Sequence, residues 1–183
     1  MLSSERMQSL ETADPPRHTP PLPWTRGLLF WTAAALVVGL DQLTKALVRG
    51  SLARGEAWPD ADWPVRIRYV TNTGAAFGVL QDQTAFLILM SIIGLAAIYL
   101  YYRYPPFDHL VVPVAIGMLL GGAAGNLIDR IRLGRVTDFI DFPMFPAFNV
   151  ADSSITVGAA VIILGYVFLA PGARPPPAVN EDA

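Results

Sequence analysis

Four long stretches of the chain are almost entirely apolar, and polar or proline-rich segments separate them. The first covers about residues 27–48, with Asp41 and Lys45 near its end, and the others cover about 83–102, 110–128 and 153–172. A helix needs about 20 predominantly apolar residues to cross a bilayer, and each stretch has roughly that length. The pattern therefore predicts an α-helical integral membrane protein with four transmembrane helices.

The two longer connections between these helices differ in their pattern. In the segment that follows the first helix, Val65, Ile67, Tyr69 and Thr71 alternate with other residues and precede a glycine-rich turn. This alternation predicts a small β-rich segment lying at the membrane surface. The second connection, residues 130–151, is interpreted as a loop. Four crossings place both longer connections on one side of the membrane and both tails on the other.

Composition agrees with a membrane protein. Hydrophobic residues make up 53% of the chain and charged residues only 15%, whereas a soluble domain is about 25% charged. The chain has no cysteine, which excludes disulfides, thiol nucleophiles and cysteine-bound metals, and its two histidines argue against a zinc site. A net charge of −2 provides no basic surplus for nucleic acid.

The domain organisation follows from the same pattern. Residues 1–23 contain five prolines and charges of both signs, and we expect a disordered tail there. Residues 24–173 form the predicted four-helix domain, and residues 174–183 form a second disordered tail.

Polar residues collect on the side of the two longer connections. A charge inside a bilayer costs several kcal/mol on insertion scales, so such residues indicate a functional site. The cluster predicted at this face comprises Asp41, Lys45, Asn72, Asn126, Asp129, Arg130, Asp138, Asn149 and Asp152.

Asp138 and Asp152 are the carboxylates best placed for catalysis. They flank a connection that leads back to the fourth helix, which would bring them together. Two adjacent carboxylates tend to share one proton and so provide an acid and a base near neutral pH. One could take a proton from water while the other protonates a scissile carbonyl oxygen. Because such a pair titrates as a unit, the sequence leaves open which aspartate is the base.

Simpler structural interpretations also fit these residues one by one. Asp152, followed by two serines at a helix start, has the position of an N-cap. Asp41 and Lys45, four residues apart, have the spacing of an ion pair on a helix surface. Asp141 is interpreted as a solvated loop charge.

Five sequence blocks distinguish between these interpretations when they are taken together. They are DQLTK (41–45), NTGAAFG (72–78), GGAAGNLIDR (121–130), VTDF (136–139) and FNVAD (148–152). In this order, on a protein with four predicted membrane helices, the blocks closely resemble the lipoprotein signal peptidase family, also called signal peptidase II. The resemblance extends over residues 27–170.

This resemblance implies an aspartic endopeptidase that removes the signal peptide from prolipoproteins, cutting before the diacylglyceryl-modified cysteine. Its catalytic aspartates correspond to Asp138 and Asp152. Other positions of the family, which support the site or bind substrate, correspond to Asp41, Lys45, Asn72, Gly74, Asn126, Arg130 and Asn149. Asp129 also matches, and we expect it to tie the third helix to the following loop. The aspartyl mechanism requires no metal and no organic cofactor.

The resemblance also implies a location in the bacterial inner membrane, with the active site near the periplasmic face and both termini in the cytoplasm. The expected partners are the prolipoprotein and membrane lipids, with no nucleic acid, and the expected state is a monomer. The distribution of basic residues disagrees with this orientation, because the longer connections carry eight Lys and Arg residues and the tails and short loop carry five. The positive-inside rule alone would place the longer connections in the cytoplasm. We give the five sequence blocks more weight.

Two other classes of function fit the pattern less well. A small ion- or proton-conducting membrane protein would place polar groups through the depth of the bundle, whereas the charges here lie at one face. A non-catalytic lipoprotein-binding factor would tolerate replacement of Asp138 without effect on substrate processing.

Overall fold

The computed structural model describes residues 23–59, 63–74, 80–105 and 109–169 of the chain. The two predicted tails lie outside these residues, except for Pro23, with which the first helix begins.

Four helices form the main body of the protein. They are α1 (Pro23–Ser51), α2 (Thr84–Arg103), α3 (Val111–Leu133) and α4 (Val150–Leu169). All four are long and apolar enough to cross a membrane, so the predicted fold class is confirmed. The helices extend beyond some of the apolar stretches: α3 continues through Arg130 and Arg132, and α4 begins three residues earlier than the sequence indicated.

Helix α3 is the centre of the bundle and packs against the other three helices. Glycines on two of its faces allow this close packing. A Cβ atom added at Gly121 would lie 2.7 Å from the backbone oxygen of Ala34 on α1. A Cβ atom added at Gly122 would lie 2.5 Å from the backbone oxygen of Ala151 on α4. Small residues thus bring both neighbouring helices into backbone contact with α3.

An apolar cluster joins three helices at the end of the bundle remote from the longer connections. Phe30, Val112 and Ile116 are its fully buried residues. The ring of Tyr102 on α2 stacks on Phe30, with 3.9 Å between the ring centroids. This cluster fixes α1, α2 and α3 relative to one another.

A four-stranded antiparallel sheet occupies the opposite end. Its strands, β1 (Ala57–Trp58), β2 (Arg66–Asn72), β3 (Val136–Phe142) and β4 (Phe145–Phe148), are adjacent in chain order. The prediction of strands in the first connection is correct. The interpretation of the second connection as a loop is wrong, because it contains β3 and β4. The pairing of β3 with β2 is a contact between distant parts of the chain, so the local sequence did not reveal it.

The register of β2 and β3 decides which side chains share a face of the sheet. Val70 pairs with Asp138, and Asn72 pairs with Val136. Because side chains alternate along a strand, Asn72 and Asp138 lie on one face and Thr137 lies on the other.

Replacing Gly121 by alanine should loosen the contact between α1 and α3. The new methyl group would meet the Ala34 backbone, which can yield only if the helix moves, so we expect a loss of about 1–3 kcal/mol in unfolding free energy. Gly39→Ala is the matched control, because a Cβ atom there meets nothing within 4 Å. Thermal unfolding of both variants in detergent tests this, and equal stability of the two would contradict the packing argument.

Candidate active site

Asp138 and Asp152 line the same cavity. Asp138 lies on strand β3, and Asp152 lies in the first turn of α4. This cavity has a volume of about 1030 Å³, and its polar wall includes Asn72, Asn126 and Arg130. Asp138 is only 3% exposed. The fold thus unites two carboxylates that the sequence separates by 14 positions.

Asn149 connects the two carboxylates directly. Its side-chain Nδ2 donates a hydrogen bond to Oδ1 of Asp138 at 2.7 Å. Its Oδ1 accepts one from the backbone N–H of Asp152 at 3.0 Å, and its own backbone N–H donates to Oδ2 of Asp152 at 3.2 Å. This reciprocal pair is a capping box at the start of α4. The interpretation of Asp152 as the N-cap is therefore wrong: Asn149 caps the helix, and Asp152 is its third residue.

Two further asparagines complete the hydrogen bonds of the aspartates. Nδ2 of Asn72 donates to Oδ2 of Asp138 at 3.2 Å, and Nδ2 of Asn126 donates to Oδ1 of Asp152 at 2.8 Å. Each of the four carboxylate oxygens thus accepts an amide N–H. The carboxylates are held in fixed orientations, as groups that must act on one substrate bond require.

The environment of Asp138 favours its protonated form. Burial raises the pKa of Asp138 to about 6, and the nearby carboxylate of Asp152 adds to the rise. Hydrogen bonds from Asn72 and Asn149 and the charge of Lys45 act in the opposite direction but do not cancel it. A carboxyl group with such a pKa can hold a proton close to neutral pH and release it during a reaction.

A buried ammonium group lies behind the aspartates. Lys45 is 0% exposed, and its Nζ lies 2.9 Å from Oδ2 of Asp41 and 3.5 Å from Oδ2 of Asp129. It also donates to Oδ1 of Asn126 at 2.9 Å. The interpretation of Asp41 and Lys45 as a surface ion pair is wrong, because both side chains are fully buried. The further partners of Lys45 come from α3, which the spacing along α1 does not indicate.

Asp41 also fixes the start of α4. Its Oδ1 accepts the backbone N–H of Ala151 at 3.0 Å, next to Asp152. A Cβ atom at Gly125 would lie 2.5 Å from Oδ2 of Asp41. Glycine at this position of α3 therefore provides the space for the carboxylate.

The sequence did not single out three residues that hold β3 in place. Thr137 immediately precedes Asp138, and its backbone N–H donates to Oδ2 of Asp129 at 3.0 Å. Arg49 donates to Oγ1 of Thr137 at 3.0 Å, and Gln42 donates to Oδ1 of Asp129 at 3.3 Å. The one available signal was the position of Arg49, which follows Lys45 by one helical turn. Asp129 ties α3 to the following segment, as expected of it.

Gly74 and Arg130 lie together at the edge of the cavity. Nη2 of Arg130 donates to the backbone oxygen of Gly74 at 3.3 Å. All the residues predicted to support the site are thus near the aspartates: Asn72, Asn126 and Arg130 line the cavity, Asn149 bridges the carboxylates, Gly74 contacts Arg130, and Asp41 and Lys45 lie behind Asn126. Their roles in binding or catalysis stay predictions at this point.

Asp141 is not the solvated charge that its sequence context indicated. It is 6% exposed and forms a salt bridge with Arg66, which lies opposite it on β2. The pairing of distant strands buries it, so Asp141 has a partner of its own and points to no site.

Nothing in the described part of the chain resembles a metal centre, since no group of three or more His, Asp or Glu side chains there could hold an ion. The rest of the cavity wall is largely apolar. It includes β4, Val70 and the α4 residues Ile155 and Val157, the last of which is 49% exposed on the outer face of the helix. An apolar substrate could therefore reach the carboxylates along α4.

Comparison with known proteins identifies the family. Residues 33–168 match the family model of signal peptidase (SPase) II. The chain belongs to the signal peptidase II family. It is therefore a membrane aspartic endopeptidase from a bacterial family, and the identification made from the five sequence blocks is confirmed. The alternatives of a conducting membrane protein and of a non-catalytic factor are set aside.

Individual relatives agree with this membership. The lipoprotein signal peptidase of Caldanaerobacter subterraneus subsp. tengcongensis is 48% identical over 140 residues, which cover 75% of this chain and 94% of that protein. The lipoprotein signal peptidase of Acaryochloris marina is 46% identical over 150 residues, covering 74% of this chain and 87% of that protein. A solved bacterial membrane enzyme superimposes with a TM-score of 0.72 at 32% identity, covering 87% of this chain and 99% of that one.

Replacing Asp138 by asparagine should change how stability depends on pH. The folded protein binds the Asp138 proton more tightly than the unfolded chain does, because folding raises the pKa of this group to about 6. The wild type should therefore lose up to about 3 kcal/mol of stability as the pH rises from about 4 to about 7. The asparagine side chain of the variant cannot ionise. The stability of the variant relative to the wild type, measured by thermal unfolding in detergent, should therefore be higher at about pH 8 than at about pH 4.5. A difference that does not vary with pH would contradict this account.

Proposed function

We propose that Asp138 and Asp152 are the catalytic pair with which this endopeptidase removes signal peptides from prolipoproteins, cutting before the diacylglyceryl-modified cysteine. The relatives named above are lipoprotein signal peptidases, which supports the substrate. The observation that carries the assignment of residues is the bridge through Asn149, which holds both carboxylates at one cavity.

The pair performs general acid–base catalysis on a water molecule. One carboxylate takes a proton from the water as its oxygen bonds to the scissile carbonyl carbon, and the other carboxyl group donates a proton to the carbonyl oxygen. Collapse of this intermediate breaks the C–N bond and returns a proton to the leaving amine. The raised pKa of Asp138 and the proximity of Asp152 suit a pair that holds one proton.

The surrounding residues serve the pair in different ways. Asn72, Asn126 and Asn149 orient the carboxylates through their amide groups. Arg130 lines the cavity and its guanidinium contacts the Gly74 backbone, so we assign it to binding of the substrate backbone. Lys45 and Asp41 support this arrangement from behind, since Lys45 contacts Asn126 and Asp41 binds the start of α4.

The location follows from the substrate. Prolipoproteins carry two acyl chains, and the apolar wall along α4 gives such chains a lateral route from the bilayer to the carboxylates. We place the protein in the bacterial inner membrane, with the sheet and the site at the periplasmic face and both termini in the cytoplasm. One chain supplies every residue of the proposed site, so we propose that a monomer is sufficient.

Asp138→Asn and Asp152→Asn should each lower the cleavage rate by at least about 100-fold, the size of an acid–base contribution. The assay uses purified protein in detergent or lipid and a diacylglyceryl-modified prolipoprotein, with an unlipidated form that should not be cut. Asp141→Asn is the matched control, because it removes a buried carboxylate from the same strand outside the cavity. Cleavage by Asp138→Asn and Asp152→Asn at the wild-type rate would refute the assignment.

Single cysteines can test the orientation, because the natural chain contains none. Met144, which is fully exposed in the turn between β3 and β4, and Tyr104, 78% exposed after α2, lie at opposite ends of the bundle. A membrane-impermeant maleimide added to cells with a permeabilised outer membrane should label Met144→Cys, and should label Tyr104→Cys only after lysis. The reverse pattern would refute the proposed orientation and agree with the distribution of Lys and Arg residues.

A further inference from the structure

Asp138 and Asp152 are called the dyad below. The hydrogen bonds around them fix the orientation of the neighbouring asparagine side chains. Oδ1 of Asn126 faces the ammonium of Lys45, which can only donate, so Nδ2 of Asn126 must face Asp152. Oδ1 of Asn72 accepts the backbone N–H of Gly74 at 2.9 Å, so its Nδ2 must face Asp138. Each aspartate therefore has an amide donor that the other does not share.

These two donors are unequal. The Asn126 amide is polarised by the buried cation that its oxygen contacts, and a donor of this kind stabilises a carboxylate more strongly. Among the described residues, the oxygen of the Asn72 amide accepts a hydrogen bond from a neutral backbone N–H, and its Nδ2 forms the longer bond of the two, 3.2 Å against 2.8 Å. Nδ2 of Asn149, the second donor to Asp138, is also shared with Asn126 Oδ1 and the Thr137 backbone oxygen.

Position in the fold adds to the difference. Asp152 is the third residue of α4, where the positive end of the helix dipole stabilises an anion. Asp138 lies in the middle of a strand, where there is no comparable dipole. Both effects stabilise a negative charge on Asp152 more than on Asp138.

Strands β2 and β4 line the cavity with uncharged residues, and the charged groups around the dyad come from α1, α3, β3 and α4. Among the described residues they are Asp41, Lys45 and Arg49 of α1, Asp129 and Arg130 of α3, Asp138 of β3 and Asp152 of α4. Four carboxylates thus face three cations. The group has no net charge when the dyad holds one proton. Because an unpaired charge is costly to bury, this protonation state is strongly favoured.

We propose that Asp138 carries this proton in the resting enzyme and that Asp152 is the ionised base, with Lys45 a positioning residue that acts through Asn126. The inference rests on the dyad proposed above and assigns its two members. Asp152 takes a proton from water as the water oxygen bonds to the carbonyl carbon, and Asp138 gives its proton to the carbonyl oxygen. When the C–N bond breaks, the amine nitrogen takes the proton from Asp152, and one hydroxyl of the intermediate returns a proton to Asp138.

The pH dependence of kcat/KM tests the assignment through the two unshared donors. The wild type should show a bell-shaped profile, in which Asp152 gains a proton on the acidic limb and Asp138 loses one on the basic limb. Removing a donor makes its carboxylate keep a proton to higher pH. Asn126→Leu should therefore move the acidic limb upward by about one pH unit, and Asn72→Leu should move the basic limb by a similar amount.

Lys45→Met tests the positioning role. Its acidic limb should move as in Asn126→Leu. Arg49→Met is the comparison, because Arg49 belongs to the same cluster and contacts Asp129 and Thr137 but not Asn126. Its acidic limb should move by less than half as much.

Each outcome has a distinct meaning. If Asn126→Leu moves the basic limb and Asn72→Leu moves the acidic limb, the proton lies on Asp152 and the proposal is overturned. Equal shifts in Lys45→Met and Arg49→Met would mean that net charge alone matters, and would overturn the role of Lys45. Each variant is first checked by size-exclusion chromatography. If a leucine variant of Asn72 or Asn126 is aggregated, the serine variant replaces it, and if Lys45→Met is aggregated, Lys45→Gln replaces it. Full activity of Asp138→Asn and Asp152→Asn would instead refute the proposed catalytic pair itself, independently of the pH profiles.

Discussion

The ammonium group of Lys45 is fully buried, and much of the structure is arranged around it. Burying an unpaired charge costs many kcal/mol, so an ammonium persists in such a place only when carboxylates and hydrogen-bond acceptors surround it. Asp41 comes from the same helix, whereas Asp129 and Asn126 come from α3. The requirement to satisfy this one cation therefore joins α1 to α3 and places an oriented amide beside a proposed catalytic carboxylate.

This constraint depends on the close approach of the helices. Gly121 brings α1 against α3, and Gly125 leaves room for the Asp41 carboxylate. At the same end, Asp41 binds the start of α4 and Asp129 binds the start of β3. The two chain segments that carry the proposed catalytic pair are thus anchored to the same buried charges, which explains how residues from a helix and a strand keep a fixed relation.

The cavity combines two environments that the proposed reaction needs. Its polar wall holds two carboxylates in a network of amide groups, where burial raises the pKa of Asp138 to about 6. Its apolar wall follows α4 toward the outer face of the bundle. Water-dependent chemistry and an apolar substrate can therefore meet at the end of the bundle, where charged groups cost less than they do at the centre of a bilayer.

The four membrane helices, the family and the set of polar residues at the site could all be predicted from the amino-acid sequence. Long apolar stretches allow few other structures, and five blocks in order are specific to one family. Three features became evident only in the folded protein: β3 and β4 are strands, Asn149 rather than Asp152 caps α4, and Asp41 and Lys45 are buried. Strand pairing and helix contacts join residues far apart in the chain. In a helix that is apolar on all sides, the spacing of residues also does not indicate which face meets lipid and which meets another helix.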